Sequence, residues 1–226
     1  MKRRTLGELE AVVTDGDGPV VVLCHGFGAP GDDLVGLVPL LRTPKPLRFV
    51  FPVAPLAPPP LAGGRAWWMI DRERLQRGSR GPRDLNEIPP GLADARAQLS
   101  SLLEAVEREL GVSGEQIVLG GFSQGAMLSL DVALHRASPL AGLVLLSGTL
   151  IAEREWSERL PARAGLPVFQ SHGSEDPLLP FAVAETLRDK LTAAKLAVEW
   201  TPFRGGHEIP LPVLRGVGAF LGRVLP

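Results

Sequence analysis

The chain has 226 residues, 45% of them hydrophobic and 22% charged, with 24 Lys and Arg against 25 Asp and Glu. That balance suits one globular domain with a sizeable core, and a net charge of −1 excludes a global field that would draw it to nucleic acid or an acidic membrane surface. No run of about 18 apolar residues is present, so no membrane span is expected. The one cysteine, Cys24, excludes an intramolecular disulfide.

Met1-Lys2-Arg3-Arg4 has the charge of a secretory n-region, but Gly7, Glu8 and Glu10 interrupt the apolar run that should follow. No signal peptide is expected, and the cytoplasm is the expected compartment. Leu9 to Thr14 reads as an edge strand. Val20 to Cys24 is an unbroken apolar run rich in valine, typical of a strand buried on both faces. Arg48 to Pro52 reads as the next strand. Pro52 to Gly64 contains a run of three prolines that forbids a regular helix or central strand. Asp71 to Pro90 mixes Arg, Gly and Pro and reads as a surface excursion or as a lid over an active site.

Leu92, Leu99, Leu102, Leu103, Val106 and Leu110 recur at helical spacing, with Gly111 as the stop. Gln116 to Gly121 is a predicted strand, and Met127 to His135 a helix that begins near Ser123. Gly142 to Leu146, Pro167 to Gln170 and Ala197 to Thr201 are further predicted strands. Pro180 to Lys195 has proline at its first turn, which suits helix entry, and Leu211 to Leu221 makes the last helix. The alternation predicts an α/β fold over residues 1–226, one domain whose central, mostly parallel sheet has about seven strands flanked by helices.

Gly121-Phe122-Ser123-Gln124-Gly125 fits G-x-S-x-G between a predicted strand and a predicted helix. That context presents a serine hydroxyl at a sharp turn, and small flanking residues avoid clashes there. Ser123 is therefore the expected nucleophile. An oxyanion needs pre-aimed donors. The N–H of Gln124 follows the nucleophile, and the loop His25-Gly26-Phe27-Gly28 after the Val20 strand offers the N–H of Phe27. The same loop formally matches G-x-G-x-x-G through Gly31, which raises a dinucleotide-binding alternative. It lacks the acidic residue expected about 20 positions on, and Asp32 and Asp33 would repel a pyrophosphate.

The chain order of this fold is Ser, then acid, then His. His207, on a glycine loop after the last predicted strand, is the expected base. His25 reads as structural, His135 lies on a helix, and His172 precedes any plausible acid. Asp176 and Glu175 compete as the acid, and Pro177 makes Asp176 the better-held position. Asp131 and Asp189 read as surface helix residues. Glu208 beside His207 hints at zinc, but Leu211 stands where H-E-x-x-H needs its second His, so no metal is expected.

His25-Gly-Phe-Gly, Phe51-Pro-Val-Ala-Pro, Gly63-Gly-Arg-Ala-Trp-Trp, Gly121-Phe-Ser-Gln-Gly, His172-Gly-Ser-Glu-Asp-Pro and Gly206-His-Glu occur in that order along nearly the whole chain. Together they resemble the phospholipase/carboxylesterase family of α/β-hydrolases, which includes the acyl-protein thioesterases. The resemblance implies Ser123, Asp176 and His207 as a triad, Phe27 and Gln124 as oxyanion donors, and hydrolysis of carboxylic esters or thioesters without a cofactor. Trp67-Trp68-Met69-Ile70-Asp71 departs from the Trp-Phe-Asp expected of the family, in the segment that borders the substrate groove there. The expected activity is hydrolysis of small esters of short to medium acyl chains, with Trp68, Met69 and Leu178 lining an apolar groove. Acyl-protein thioesterase and lysophospholipase are the alternatives, and a non-catalytic binding protein is the alternative from another class.

Overall fold

The computed structural model describes residues 1–59, 61–70 and 84–226. Eight strands form one sheet: β1 (Lys2–Leu6), β2 (Leu9–Val13), β3 (Val20–Cys24), β4 (Arg48–Pro52), β5 (Ile117–Phe122), β6 (Gly142–Leu146), β7 (Pro167–Gly173) and β8 (Ala197–Phe203). Their order across the sheet is β1-β2-β4-β3-β5-β6-β7-β8. β2 is antiparallel to both β1 and β4, and every pair from β4 to β8 is parallel. The sheet thus has one strand more than expected. The addition is β1, whose sequence Lys-Arg-Arg-Thr has no apolar alternation because its first four side chains face solvent at the sheet edge.

The helices of the described residues are α1 (Val38–Leu41), α2 (Leu92–Leu110), α3 (Gln124–His135), α4 (Glu153–Arg159), α5 (Phe181–Ala193) and α6 (Leu211–Val224). Two cores lie on opposite faces of the sheet. Val20, Val22 and Cys24 of β3 pack with α2, α3, α4 and α5, whereas Val21 and Leu23 pack with Leu41 of α1 and with α6. This double burial is why β3 reads as a continuous apolar run rather than an alternating one. α3 is buried from Gln124 to Leu134. A helix covered all round carries no amphipathic stripe, and that explains why its start was less visible than that of α2.

β3 is the switch point of the topology. The chain leaves it toward β4 on one side and returns through α2 to β5 on the other. At such a point the loops after the two central strands diverge and open a crevice at their carboxyl ends. The loops after β3, β5, β6, β7 and β8 all emerge at that edge.

Beneath α3 sits a buried charge. The Asp131 carboxylate accepts hydrogen bonds from Arg96 Nε at 2.5 Å and Trp156 Nε1 at 2.9 Å, tying α2 and α4 to α3. Asp131 is fully buried, so the expectation of a surface residue is corrected. Its Arg partner lies 35 residues earlier, beyond the reach of a local pattern. Removing the carboxylate would leave buried Trp156 Nε1 without its acceptor and, among the described residues, Arg96 with only Glu155, 3.6 Å away. Asp131→Ala should therefore lose about 3 kcal/mol of unfolding free energy, read from the shift of a chemical denaturation midpoint.

Candidate active site

Ser123 lies between β5 and α3 with φ 54° and ψ −116°, a conformation that side chains other than glycine seldom adopt. Its N–H is held by Leu146 O of β6 at 2.8 Å. The flanking glycines are needed for space. A Cβ at Gly121 would lie 2.4 Å from the Cys24 carbonyl oxygen, and one at Gly125 would lie 2.1 Å from it. The turn can form only because β3 passes this closely under both sides of the serine.

The loop after β3 runs directly over the nucleophile. A Cβ on Gly26 would stand 3.4 Å from that of Ser123. His25 shapes this loop from within. Its Nε2 accepts the Ala54 N–H at 3.0 Å, so the proton is on Nδ1, which donates to Gly26 O at 2.8 Å. Burial lowers its pKa and keeps the ring neutral. The N–H groups of Phe27 and Gln124 have no hydrogen-bond acceptor among the described residues. Two donors without partners among the described residues, one next to Ser123 in sequence and one on the loop that passes over it, match the requirements for holding an oxyanion.

The Gln124 side chain does something the sequence did not disclose. Its Oε1 accepts the Trp67 N–H at 3.0 Å and its Nε2 donates to Trp68 O at 2.8 Å. Trp67 Nε1 donates in turn to His25 O at 3.0 Å. The tryptophan segment is thereby fastened to both predicted oxyanion elements. A buried amide able to satisfy a passing backbone on both its N–H and its C=O is the chemical signal, but only the fold shows which segment passes.

Asp176 and His207 meet at the same edge, with His207 Nδ1 2.7 Å from Asp176 Oδ2. Asp176 Oδ1 accepts the N–H groups of Leu178 and Leu179 at 2.8 and 2.9 Å. Burial pushes the carboxyl pKa up. Hydrogen bonds from His172, His207, Leu179 and Leu178 outweigh that and hold it well below the usual carboxylate range. Glu175, the competing acid, is exposed and paired with Arg204 at 2.9 Å. The His207 ring packs against Phe122, the neighbour of Ser123, with centroids 4.7 Å apart. The Ser123 hydroxyl itself makes no hydrogen bond to the ring, a contact that often tightens only in the complex with substrate.

The expected groove residues separate. Trp68 is 3% exposed and belongs to the core, so it offers a substrate little surface, whereas Met69 and Leu178 are 49% and 55% exposed. The expected lid at 71–90 falls partly outside the described residues, at 71–83. Its end is anchored: Leu85 O and Glu87 O accept the N–H groups of Glu153 and Ala152 at the start of α4. Among the described residues no cluster of His, Cys, Asp or Glu could hold a metal ion, and no helix is long and apolar enough to cross a membrane.

The family model for phospholipase/carboxylesterase matches residues 11–225. The chain belongs to this family. It is 30% identical to acyl-protein thioesterase 1 of Gibberella zeae, over 91% of this chain and 90% of that protein. Acyl-protein thioesterase 1 of Neurospora crassa is 29% identical over 91% of this chain and 86% of its own length. Among solved structures, esterase PE8 superposes with a TM-score of 0.83 at 28% identity, covering 96% of this chain and 99% of that one. This member of the phospholipase/carboxylesterase family is accordingly a hydrolase with the α/β-hydrolase fold.

The two adjacent acids of this hydrolase differ in every contact, which makes them separable by experiment. Asp176→Asn keeps the shape but favours the wrong imidazole tautomer, and kcat should fall by roughly 10⁴-fold near neutral pH. Glu175→Gln should change kcat by less than about tenfold. Steady-state kinetics of both folded variants on one ester, with the ranking reversed, would identify Glu175 as the acid.

Proposed function

We propose that this chain is a serine carboxylesterase acting on small esters of short to medium acyl chains, with Ser123 as nucleophile, His207 as base and Asp176 as the acid that orients it. The observation that carries the reading is the convergence at one sheet edge. A serine at positive φ on a strand-to-helix turn, two N–H groups without an acceptor among the described residues and an Asp–His pair at 2.7 Å lie on loops from the carboxyl ends of β3, β5, β7 and β8.

In this reading His207 Nε2 takes the Ser123 proton as Oγ attacks the ester carbonyl carbon. The carbonyl π pair moves onto oxygen, where the N–H groups of Phe27 and Gln124 receive it. Asp176 keeps the Nδ1 proton directed at itself and stabilises the imidazolium. The intermediate collapses, the C–O bond to the alcohol breaks, and the alcohol leaves with the proton from His207. Water then attacks the acyl-serine with His207 again as base, releasing the acid and the free serine. No step needs a cofactor.

A thioester would follow the same path with a thiol leaving. The names of the two fungal relatives favour this second reading, acyl-protein thioesterase, while the similarity to esterase PE8 favours the first. Met69 and Leu178 supply exposed apolar surface for an acyl chain. We place the enzyme in the cytoplasm, where its buried free thiol, Cys24, would stay reduced.

Ser123→Ala should abolish turnover and fluorophosphonate labelling, a loss of at least about 10³-fold, with a melting temperature within about 3 °C of the native enzyme. Substantial turnover by the folded variant would remove Ser123 from the mechanism. On a panel of esters sharing one leaving group, kcat/KM for butyryl should exceed that for palmitoyl by about tenfold or more. The opposite order, measured below the aggregation concentration of the long chain, would favour the lysophospholipase or protein-thioesterase reading.

A further inference from the structure

A second histidine meets the same carboxylate. His172, near the end of β7, is 0% exposed. Its Nε2 lies 2.9 Å from Leu179 O and 3.3 Å from Asp176 Oδ2. Both neighbours are acceptors, so the Nε2 proton is shared between them. Its Nδ1 is buried with no partner among the described residues, and its ring packs against Phe181 at 6.2 Å. The other tautomer would lose both contacts.

The arrangement holds one residue, Leu179, by both its N–H and its C=O. The N–H of Leu179 is bound by Asp176 Oδ1, and the carbonyl of Leu179 is bound by His172. The loop that carries Asp176 is thus closed on itself through His172. It is also pressed against the loop that carries His207: a Cβ at Gly173 would lie 2.2 Å from Gly206 O. Asp176 Oδ2 receives an imidazole from each strand end, His172 of β7 and His207 after β8.

We propose that His172 is a positioning residue for the hydrolysis, holding the Asp176 carboxylate in place and sharing the oxygen that orients His207. The proposal rests on the esterase reading above. Hydrogen bonding spreads the charge on Oδ2, so a second donor moderates the pull on His207. Without it, Oδ2 would hold the His207 imidazolium more strongly, and the base would stay protonated to higher pH. A loop that had simply slackened would do the reverse, because His207 would lose its carboxylate.

Among the described residues, the charged and titratable groups around the pair are few. Asp176 comes from the β7 loop and His207 from the β8 loop. Glu208 is tied to Gly206 N at 3.3 Å, and Glu175 is engaged with Arg204 at the surface. From α5 the ring of Phe181 faces His172. Behind it Trp200 packs on Phe181 and carries the Arg188 guanidinium 5.4 Å from its centroid.

The test uses the full-length enzyme and the pH profile of kcat/KM on a short ester. His172→Phe keeps a ring against Phe181 and removes the donor. Its kcat should fall about tenfold, with KM within about twofold, and the acid limb should move to higher pH by about half a unit. His172→Gln, whose amide nitrogen reaches the position of Nε2, should restore kcat to within about threefold and return the limb to its native position. An acid limb in His172→Phe that stays put or moves down overturns the proposal, as does a Gln variant impaired as badly as Phe. If His172→Phe does not fold, His172→Asn, whose amide ends short of both oxygens, takes its place with the same expectations. Substantial turnover by folded Ser123→Ala would instead remove the Ser123–His207–Asp176 reading on which the proposal rests, whatever the His172 variants do.

Discussion

Ser123 sits in a backbone conformation that costs free energy on its own, and the carboxyl edge of the sheet is built around holding it there. The restraint comes from three directions. Leu146 of β6 holds its N–H, the Cys24 carbonyl passes under both flanking glycines, and α3 behind it is buried along nearly its whole length. Because α3 is pinned by the Asp131 network to α2 and α4, the serine is fixed by packing well away from the chemistry. The strain persists because its surroundings over-determine it.

The electrostatics of the edge divide into two habits. On the side of the predicted oxyanion elements, His25 is buried and neutral, with each ring nitrogen matched to a backbone group. It organises the loop without adding charge where a negative intermediate would form. On the side of the acid, Asp176 is surrounded by donors and keeps its charge despite burial. One histidine shapes the loop as a neutral ring. The other, His207, sits where a full carboxylate can stabilise it as a cation.

Much of this was legible in the sequence, and the reasons differ by element. β3 and β6 coincide with their expected bounds because strands buried on both faces leave short, unbroken apolar runs with sharp ends. β7 and β8 run on to Gly173 and Phe203, past the expected Gln170 and Thr201, because Ser171, His172 and Gly173 break the apolar run of β7 and Pro202 reads as the end of β8, while the ladder continues through His172–Pro202 and Gly173–Phe203. β1 escaped notice because an exposed edge strand needs no apolar face. α4 escaped because one buried tryptophan, Trp156, anchors a helix of seven mostly charged residues. At the candidate site, local motifs and chain order pointed to Ser123, Asp176 and His207, and the fold brings Asp176 and His207 to 2.7 Å of each other. The contacts of Asp131, His172 and the Gln124 side chain were not, since each depends on a partner brought in by the fold.

Gln124 joins two properties in one residue. Its backbone N–H has no acceptor among the described residues and is the proposed oxyanion donor, while its side chain fastens the Trp67 and Trp68 backbone. An exchange of this side chain would free the Trp67 and Trp68 backbone beside the proposed oxyanion donor, so one substitution disturbs both. On the esterase reading proposed above, selection for new substrates would find more accessible ground further out, at exposed positions such as Met69. On that reading, substrate range would drift more readily at the exposed rim than among the buried residues around Ser123.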